Sequence, residues 1–305
     1  LQVRCAVNAC LKALDERGLG PEQVPIMVSI TIETTGTMLL GSDIASAVNA
    51  LRMLPIASLG LNCATGPVEM TTHVDFLCKH WDRFVSVVPN AGLPVLVDGQ
   101  ASYPLQPKPF AQAMRRFVEE RGVNIIGGCC GTTPEHIAAL VELVGDRSAP
   151  ERASELMPAG CSSLYGFTEF QQDNSFLIVA ERTNANGSRK FKRLLDAEDW
   201  DALVSMGREE LRGGSHLLDV CVDFVGRDGA MDMAEIASRY ATSLNAPIMI
   251  DSTEAATIEA GLKRLGGKCV VNSINLEDGE KRLDDICPLL KAHGAACVAL
   301  TIDED

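Results

Sequence analysis

The chain has 305 residues, 46% of them hydrophobic, with 41 acidic against 27 basic side chains and a net charge of −14. That length holds one large α/β domain or two ordinary ones with full cores. The acidic balance excludes a phosphate-backbone partner such as a nucleic acid, and no apolar run reaches the roughly 18 residues of a membrane span.

The opening "LQVRCAVNACLKALDERG" (residues 1–18) has the charge distribution of an amphipathic helix, not of a secretory signal. It lacks an initiator methionine, and the closing "LTIDED" follows a strand-like run, so both ends read as cut from a longer chain. β-rich runs then alternate with helical periods. "VPIMVSITI" is a predicted strand and "SDIASAVNALRML" a helix with Ser42 as N-cap. "IASLGLN" and "RFVSVVPN" are strands around the helix "PVEMTTHVDFLCKHW". A Pro- and Gly-rich loop leads to the helix "FAQAMRRFVEERG", the strand "VNIIGG" and the helix "TPEHIAALVELVG", with Thr133 before Pro134 as its cap and first turn.

Residues 146–173 have no sustained period and read as a linker. The rhythm restarts in "FLIVAER", "HLLDVCVD", "PIMID", "CVVNS" and "CVALTID", separated by stretches such as "DWDALVSMGREELRGG" and "EAATIEAGLKRLGG". Repeated β–α units imply parallel strands with right-handed crossovers. Each strand of this half ends in a polar group: "ERTN", "DVCVD", "IDST", "NSIN", "TIDED". A (β/α)8 barrel gathers such ends on one face, whereas a dinucleotide-binding sheet carries a glycine-rich phosphate loop after its first strand. The expected fold is therefore α/β, with two TIM-type barrels each only partly present. Residues 1–145 would be the C-terminal part of the first and 174–305 the N-terminal part of the second. The competing arrangement is a single barrel pieced together from both halves.

Eleven cysteines, an odd and irregularly spaced set, do not make a disulfide framework. Cys5, Cys10 and Cys78 read as reduced core thiols, and the compartment as cytoplasmic. Cys63 ends one strand in "GLNCATGP", and Cys129 and Cys130 end another in "NIIGGCCGTTP". On one barrel these three sulfurs would face one mouth. Three soft ligands with a fourth position left over suit a catalytic Zn²⁺, to which an entering thiol would lose its proton. Gly127, Gly128 and Gly131 would let the backbone bend to aim the pair. Core packing of Cys63, or of the vicinal pair, stays open on the residues alone.

"GLNCATGPVEM", "PNAGLP" and "GGCCGTTPEHI", in this order, resemble the homocysteine-binding module of cobalamin-dependent methionine synthases. That resemblance implies that Cys63, Cys129 and Cys130 bind zinc. "IVAERTNANGSRKFKRLL", "LLDVCVDFVGRDG", "PIMIDSTEAATIEAGLKRLGGKCVVNSINLEDGE" and "GAACVALTIDED" are similar to the start of the same family's pterin-binding module. Asn184, Asp219, Asp251 and Asn272 would then contact the pterin. An Asp/Asn ring can read a heterocycle edge that both donates and accepts. The alternative for Asp251 and Asn272 is helix N-capping. "DVC" stands where many members have "DIN", a variant associated with actinobacterial-type enzymes. Cys221 reads as packing, not as a fourth ligand. "RTNANGSRKFK" could steer the glutamate tail of folate or be a solvated helix face.

The resemblance implies a 5-methyltetrahydrofolate–homocysteine S-methyltransferase of methionine biosynthesis. Zinc activates the homocysteine thiolate, which takes a methyl group from methylcobalamin, regenerated from 5-methyltetrahydrofolate in the second barrel. No D-x-H-x-x-G segment is present, so the cobalamin-binding module is expected elsewhere on a parent chain. With later pterin contacts expected beyond Asp305, this chain alone is expected to be weakly active or inactive. A betaine–homocysteine-type zinc thiol methyltransferase, or a non-enzymatic zinc module, are the alternatives.

Overall fold

A computed structural model describes residues 1–277 and 279–302. The acidic residues of the final "TIDED" strand end, Asp303 to Asp305, lie outside the described residues. The first elements are α1 (Gln2–Asp15), β1 (Met27–Ile30), α2 (Ile44–Leu51), β2 (Ser58–Asn62), α3 (Pro67–His80) and β3 (Phe84–Val88). They are followed by β4 (Val95–Val97), β5 (Gln100–Ser102), α4 (Pro107–Arg121), β6 (Ile125–Ile126) and α5 (Pro134–Val144). Next come β7 (Gly160–Ser162), β8 (Phe167–Glu169), β9 (Val179–Ala180), α6 (Arg189–Asp196), α7 (Trp200–Arg212), β10 (Leu217–Val220) and α8 (Gly229–Ser243). The last are β11 (Ile248–Asp251), α9 (Ala255–Leu262), β12 (Val270–Ile274), α10 (Lys281–His293) and β13 (Ala296–Ala299).

The strands form two parallel sheets, ordered β1-β2-β3-β6 and β9-β10-β11-β12-β13. In each, every new strand adds beside the previous one, and the order never reverses. That is how a barrel winds, in contrast to a doubly wound sheet with a switch point. The architecture is two partial TIM-type barrels. Their strands are apolar runs because both faces are covered: Leu59, Leu61, Val85, Val87, Leu218, Ile250 and Val271 are all buried.

By packing, the chain divides into two compact units. One comprises residues 1–8, 45–54 and 158–305, the other 9–44 and 55–157. Outside the second sheet, Phe191, Leu195, Leu203, Tyr240 and Leu262 fill the layer between strands and helices. Each such side chain contributes about 1.5–3 kcal/mol on burial. Tyr240 satisfies its hydroxyl on the carbonyl of Leu203 at 2.9 Å.

Several local expectations need correction. Cys5 and Cys10 are exposed, on the outer face of α1, while Cys78 is buried. Helix α2 starts at Ile44, so Asp43 rather than Ser42 precedes it. The Pro/Gly loop after β3 contains a hairpin, β4–β5, turning at Asp98 and Gly99, both with positive φ. Within residues 146–173 lies a second hairpin, β7–β8. Arg152 anchors the preceding segment by donating to Gly122 O (2.6 Å), Asn124 Oδ1 (2.7 Å) and Trp81 O (3.4 Å). Among the described residues, no helix is long and apolar enough to cross a membrane.

Candidate functional site

Parallel pairing sets the first site. Asn62 ends β2 and pairs in register with Val88, which ends β3. The residues that follow each strand therefore emerge side by side. Cys63 N donates to Val88 O (3.0 Å) and Cys129 N to Pro89 O (2.7 Å), so the loops after β2, β3 and β6 are tied together. Asn90, itself buried, accepts from Cys130 N on Oδ1 at 3.1 Å, and Ala91 N donates to Cys130 O at 2.9 Å.

The three cysteines converge. Their Sγ atoms stand 3.3 Å (Cys63–Cys129), 3.4 Å (Cys63–Cys130) and 3.8 Å (Cys129–Cys130) apart. Among the described residues they are the one cluster of His, Cys, Asp or Glu with metal-ligand spacing. The hydrogen bond from Cys129 lowers the Cys63 pKa against the opposing effect of burial. Burial pushes the Cys129 thiol up to about 12, and hydrogen bonds to Cys63 and Cys130 add to it. Four Zn–S bonds of about 2.3 Å at tetrahedral angles put sulfurs about 3.8 Å apart. The triangle is thus within a few tenths of an ångström of that spacing, and the donor set fits a thiophilic ion.

The glycines around the pair have different tasks. Gly131 has φ +76°, and a Cβ there would fall 2.3 Å from Cβ and Cγ of Tyr103. Gly128 is crowded by Thr132. Gly127 has an ordinary backbone conformation, and a Cβ would meet only Val88 methyls at 3.8 Å, so the bend does not require glycine there. Tyr103 therefore lies against Gly131, beside Cys130. Desolvation, then the neighbouring Cys130 thiol, raises the phenol pKa. Leu105, two residues on, is held by its N–H on Ala91 O (2.9 Å) and by His136 on its carbonyl (2.8 Å). The buried His136 takes the Thr133 N–H on Nδ1 (3.2 Å) in a capping box, which leaves Nε2 to carry the proton donated to Leu105. Sequence reasoning missed Tyr103 and His136. The T-x-x-H spacing ahead of an apolar run was the available signal for His136.

The second site lies in the other unit. Asn184 Nδ2 donates to Asp219 Oδ2 (2.8 Å) and to Asp251 Oδ2 (2.7 Å). Its Oδ1 accepts from Asn186 N (2.8 Å) and Gly187 N (3.2 Å), which fixes the amide orientation. Asp219 is 6% exposed, and its Oδ1 is buried with no partner among the described residues. Burial raises its pKa to about 6; the Asn184 bond opposes this, and Asp251 and Glu181 add to it. Asp251 is raised too, by burial first, with Asn184 opposing. Asn272 pairs in register with Asp251 and Val298 and is half-buried, but its side chain stands outside the Asn184 network among the described residues.

Neither Asp251 nor Asn272 is a helix cap, since Glu254 precedes α9 and Glu280 precedes α10. Cys221 is buried and accepts from Asn186 Nδ2 at 3.4 Å, as a packing residue would. In the basic stretch, Arg182 and Lys190 reach Glu210 and Glu209, each at 3.7 Å, and Lys192 Nζ lies 4.5 Å from the Phe224 ring centre. Sequence reasoning also missed Ser252, whose hydroxyl donates to Asp223 Oδ2 (2.5 Å), and Arg282, which donates to carbonyls just after β11 and near the end of β12.

Comparison with known proteins divides the chain along its sequence. Residues 1–144 match the family described as homocysteine S-methyltransferase, and residues 180–305 the family described as pterin binding enzyme. The chain is 48% identical to a methionine synthase of Mycobacterium tuberculosis (strain ATCC 25618 / H37Rv) and 49% identical to one of Mycobacterium leprae (strain TN). Each match covers 100% of this chain and 26% of the relative, so the chain spans about a quarter of their length. The carboxyl transferase domain of Rhizobium etli pyruvate carboxylase is 10% identical, with a TM-score of 0.25, over 90% of this chain and 40% of that one. That is too low a similarity to bear on function. The chain belongs to the methionine synthase family, over a stretch in which a homocysteine S-methyltransferase module is followed by a pterin-binding module.

Proposed function

We propose that the chain serves methyl transfer in methionine biosynthesis, with Cys63, Cys129 and Cys130 as ligands of a zinc ion that receives homocysteine. The sulfur triangle carries this reading, because three thiols from two strand ends meet at the spacing of a tetrahedral thiolate site. Zinc bound there would acidify an entering thiol, so that homocysteine is present as a nucleophilic thiolate at neutral pH. The chain's own residues hold the geometry. Asn90 and Ala91 fix the Cys130 backbone, and Tyr103 packs beside it on Gly131.

In the second unit, Asn184, Asp219, Asp251 and Asn272 are proposed to bind the pterin of 5-methyltetrahydrofolate. The unpartnered Asp219 Oδ1 supports this, since a buried acceptor calls for a donor and a pterin edge offers N–H groups. The methyl group is proposed to pass between the two substrates through methylcobalamin carried by a cobalamin-binding module outside this chain. A compartment follows from that metabolism, and we place the protein in the cytoplasm.

X-ray absorption on the zinc-loaded chain tests the first site. Three sulfur ligands and one lighter atom, changing to four sulfurs on adding homocysteine, is the expected result. A shell that homocysteine leaves unchanged would mean a structural zinc and overturn the reading. For the second site, Asp219→Ala is expected to abolish 5-methyltetrahydrofolate binding in calorimetry, and unaltered affinity would refute the assignment.

A further inference from the structure

Arg282 stands in the first turn of α10, where the helix dipole disfavours a cation. Helix stability does not explain it there. Its guanidinium reaches instead to backbone carbonyls. Nη2 donates to Ser252 O (2.8 Å) and Ser273 O (2.9 Å), Nε donates to Ser273 O (3.2 Å), and Nη1 donates to Thr253 O. Among the described residues it pairs with no carboxylate.

Those carbonyls occupy informative positions. Ser252 follows Asp251 at the end of β11, and Ser273 follows Asn272 in β12. The β12–β13 ladder slips at this point, since Asn272 pairs with Val298 and Ile274 with Ala299. Ser273 is therefore the extra residue of a bulge, and such a residue leaves the regular ladder. Arg282 takes up its carbonyl. Ser252 is itself built in: it is 3% exposed, and its hydroxyl donates to Asp223 and accepts from Glu254 N (3.0 Å). One planar cation thus joins the two strand ends that carry Asp251 and Asn272, with charge-assisted bonds stronger than neutral ones.

We infer that Arg282 is the positioning residue of the folate site: it sets the spacing of Asp251 and Asn272, and keeps Asp251 within reach of the Asn184 amide. It touches no substrate and acts through the carbonyls of Ser252, Thr253 and Ser273. This rests on the folate reading above for its consequence, but its geometric core does not.

The test follows the Asn184 side-chain NH₂ resonances of the ¹⁵N-labelled chain, assigned through Asn184→Ala. In Arg282→Met these resonances are expected to move toward the position of a solvated amide, as Asp251 withdraws. Affinity for 5-methyltetrahydrofolate is expected to fall by about tenfold to a hundredfold. Arg282→Lys keeps the charge but not the fork, and should fall between Met and wild type in both readings. It also carries the test if Arg282→Met does not fold. Asn184 resonances left in place in both variants overturn the inference whatever folate does. A wild-type chain that binds no 5-methyltetrahydrofolate refutes the folate reading instead, and the Asn184 resonances still decide on Arg282.

Discussion

The sulfurs of Cys63 and Cys129 stand 3.3 Å apart although 66 residues separate them. Loop closure over that distance costs entropy, and two thiols return little of it by themselves. The parallel pairing of β2 with β3 and of β3 with β6 closes that loop, and on the proposed reading a bound zinc would add to it. Cys63→Ala should lower zinc affinity about a hundredfold or more, measured by competition with a chromophoric chelator. Because a Cys129 thiol pushed up to about 12 must lose its proton to bind, loading should release protons and affinity should rise with pH. Calorimetry in buffers of different ionisation enthalpy reads that release, and zinc binding without it would contradict the thiolate site.

Gly131→Ala places a methyl group into Tyr103 at a backbone φ of +76°. The strain and overlap should cost about 1–3 kcal/mol. Tyr103 would be displaced from Cys130, so zinc affinity should drop although no ligand is lost. Gly127→Ala, with its open surroundings, is the control and should change neither melting temperature nor metal binding.

Asp219 makes stability depend on pH in an unusual direction. Its carboxyl titrates at about 6 in the folded chain against a reference of 3.8, so the folded state holds the proton more tightly. The benefit is complete below about pH 4 and is lost as pH rises through about 6. Asp219→Asn should thus be more stable than wild type at pH 8, by on the order of 2–3 kcal/mol, and nearly equal at pH 4. Denaturant titrations at the two pH values measure this. Equal differences at both would show that Asp219 is not the titrating group.

Arg152→Ala removes the donors that hold Gly122 O, Asn124 Oδ1 and Trp81 O. Leaving such carbonyls unmet costs about 1–3 kcal/mol each where water cannot replace the donor. The segment around Arg152 should open locally before the barrel does, so limited proteolysis there should speed up while the global transition moves less. Unchanged cleavage would mean that the contacts of Glu155 with Lys79 and His80 suffice to hold it.

The barrel rhythm was legible because buried parallel strands must be apolar on both faces, as in "SLGLN" and "FVSVV". The three cysteines were legible because each directly follows, or closely follows, such a run. The hairpin at Asp98–Gly99 carried a recognisable turn dipeptide, hidden by the prolines on either side. No local signal assigns residues 45–54 to the same compact unit as residues 158–305, because packing between distant segments decides it. Arg282 was invisible for another reason: its partners are carbonyls, which every residue has, so no spacing rule points to them.

One close approach bears on the loops that carry Cys63 and Asn90. A Cβ on Gly66 would lie 2.8 Å from Gly92 Cα, so the chain just after Cys63 and the chain just after Asn90 already touch backbone to backbone. Side chains can repack around a misfit, but main chains in contact cannot be pressed closer. The loops after β2 and β3 are therefore seated on each other by main chain, and glycine at position 66 is what lets them meet.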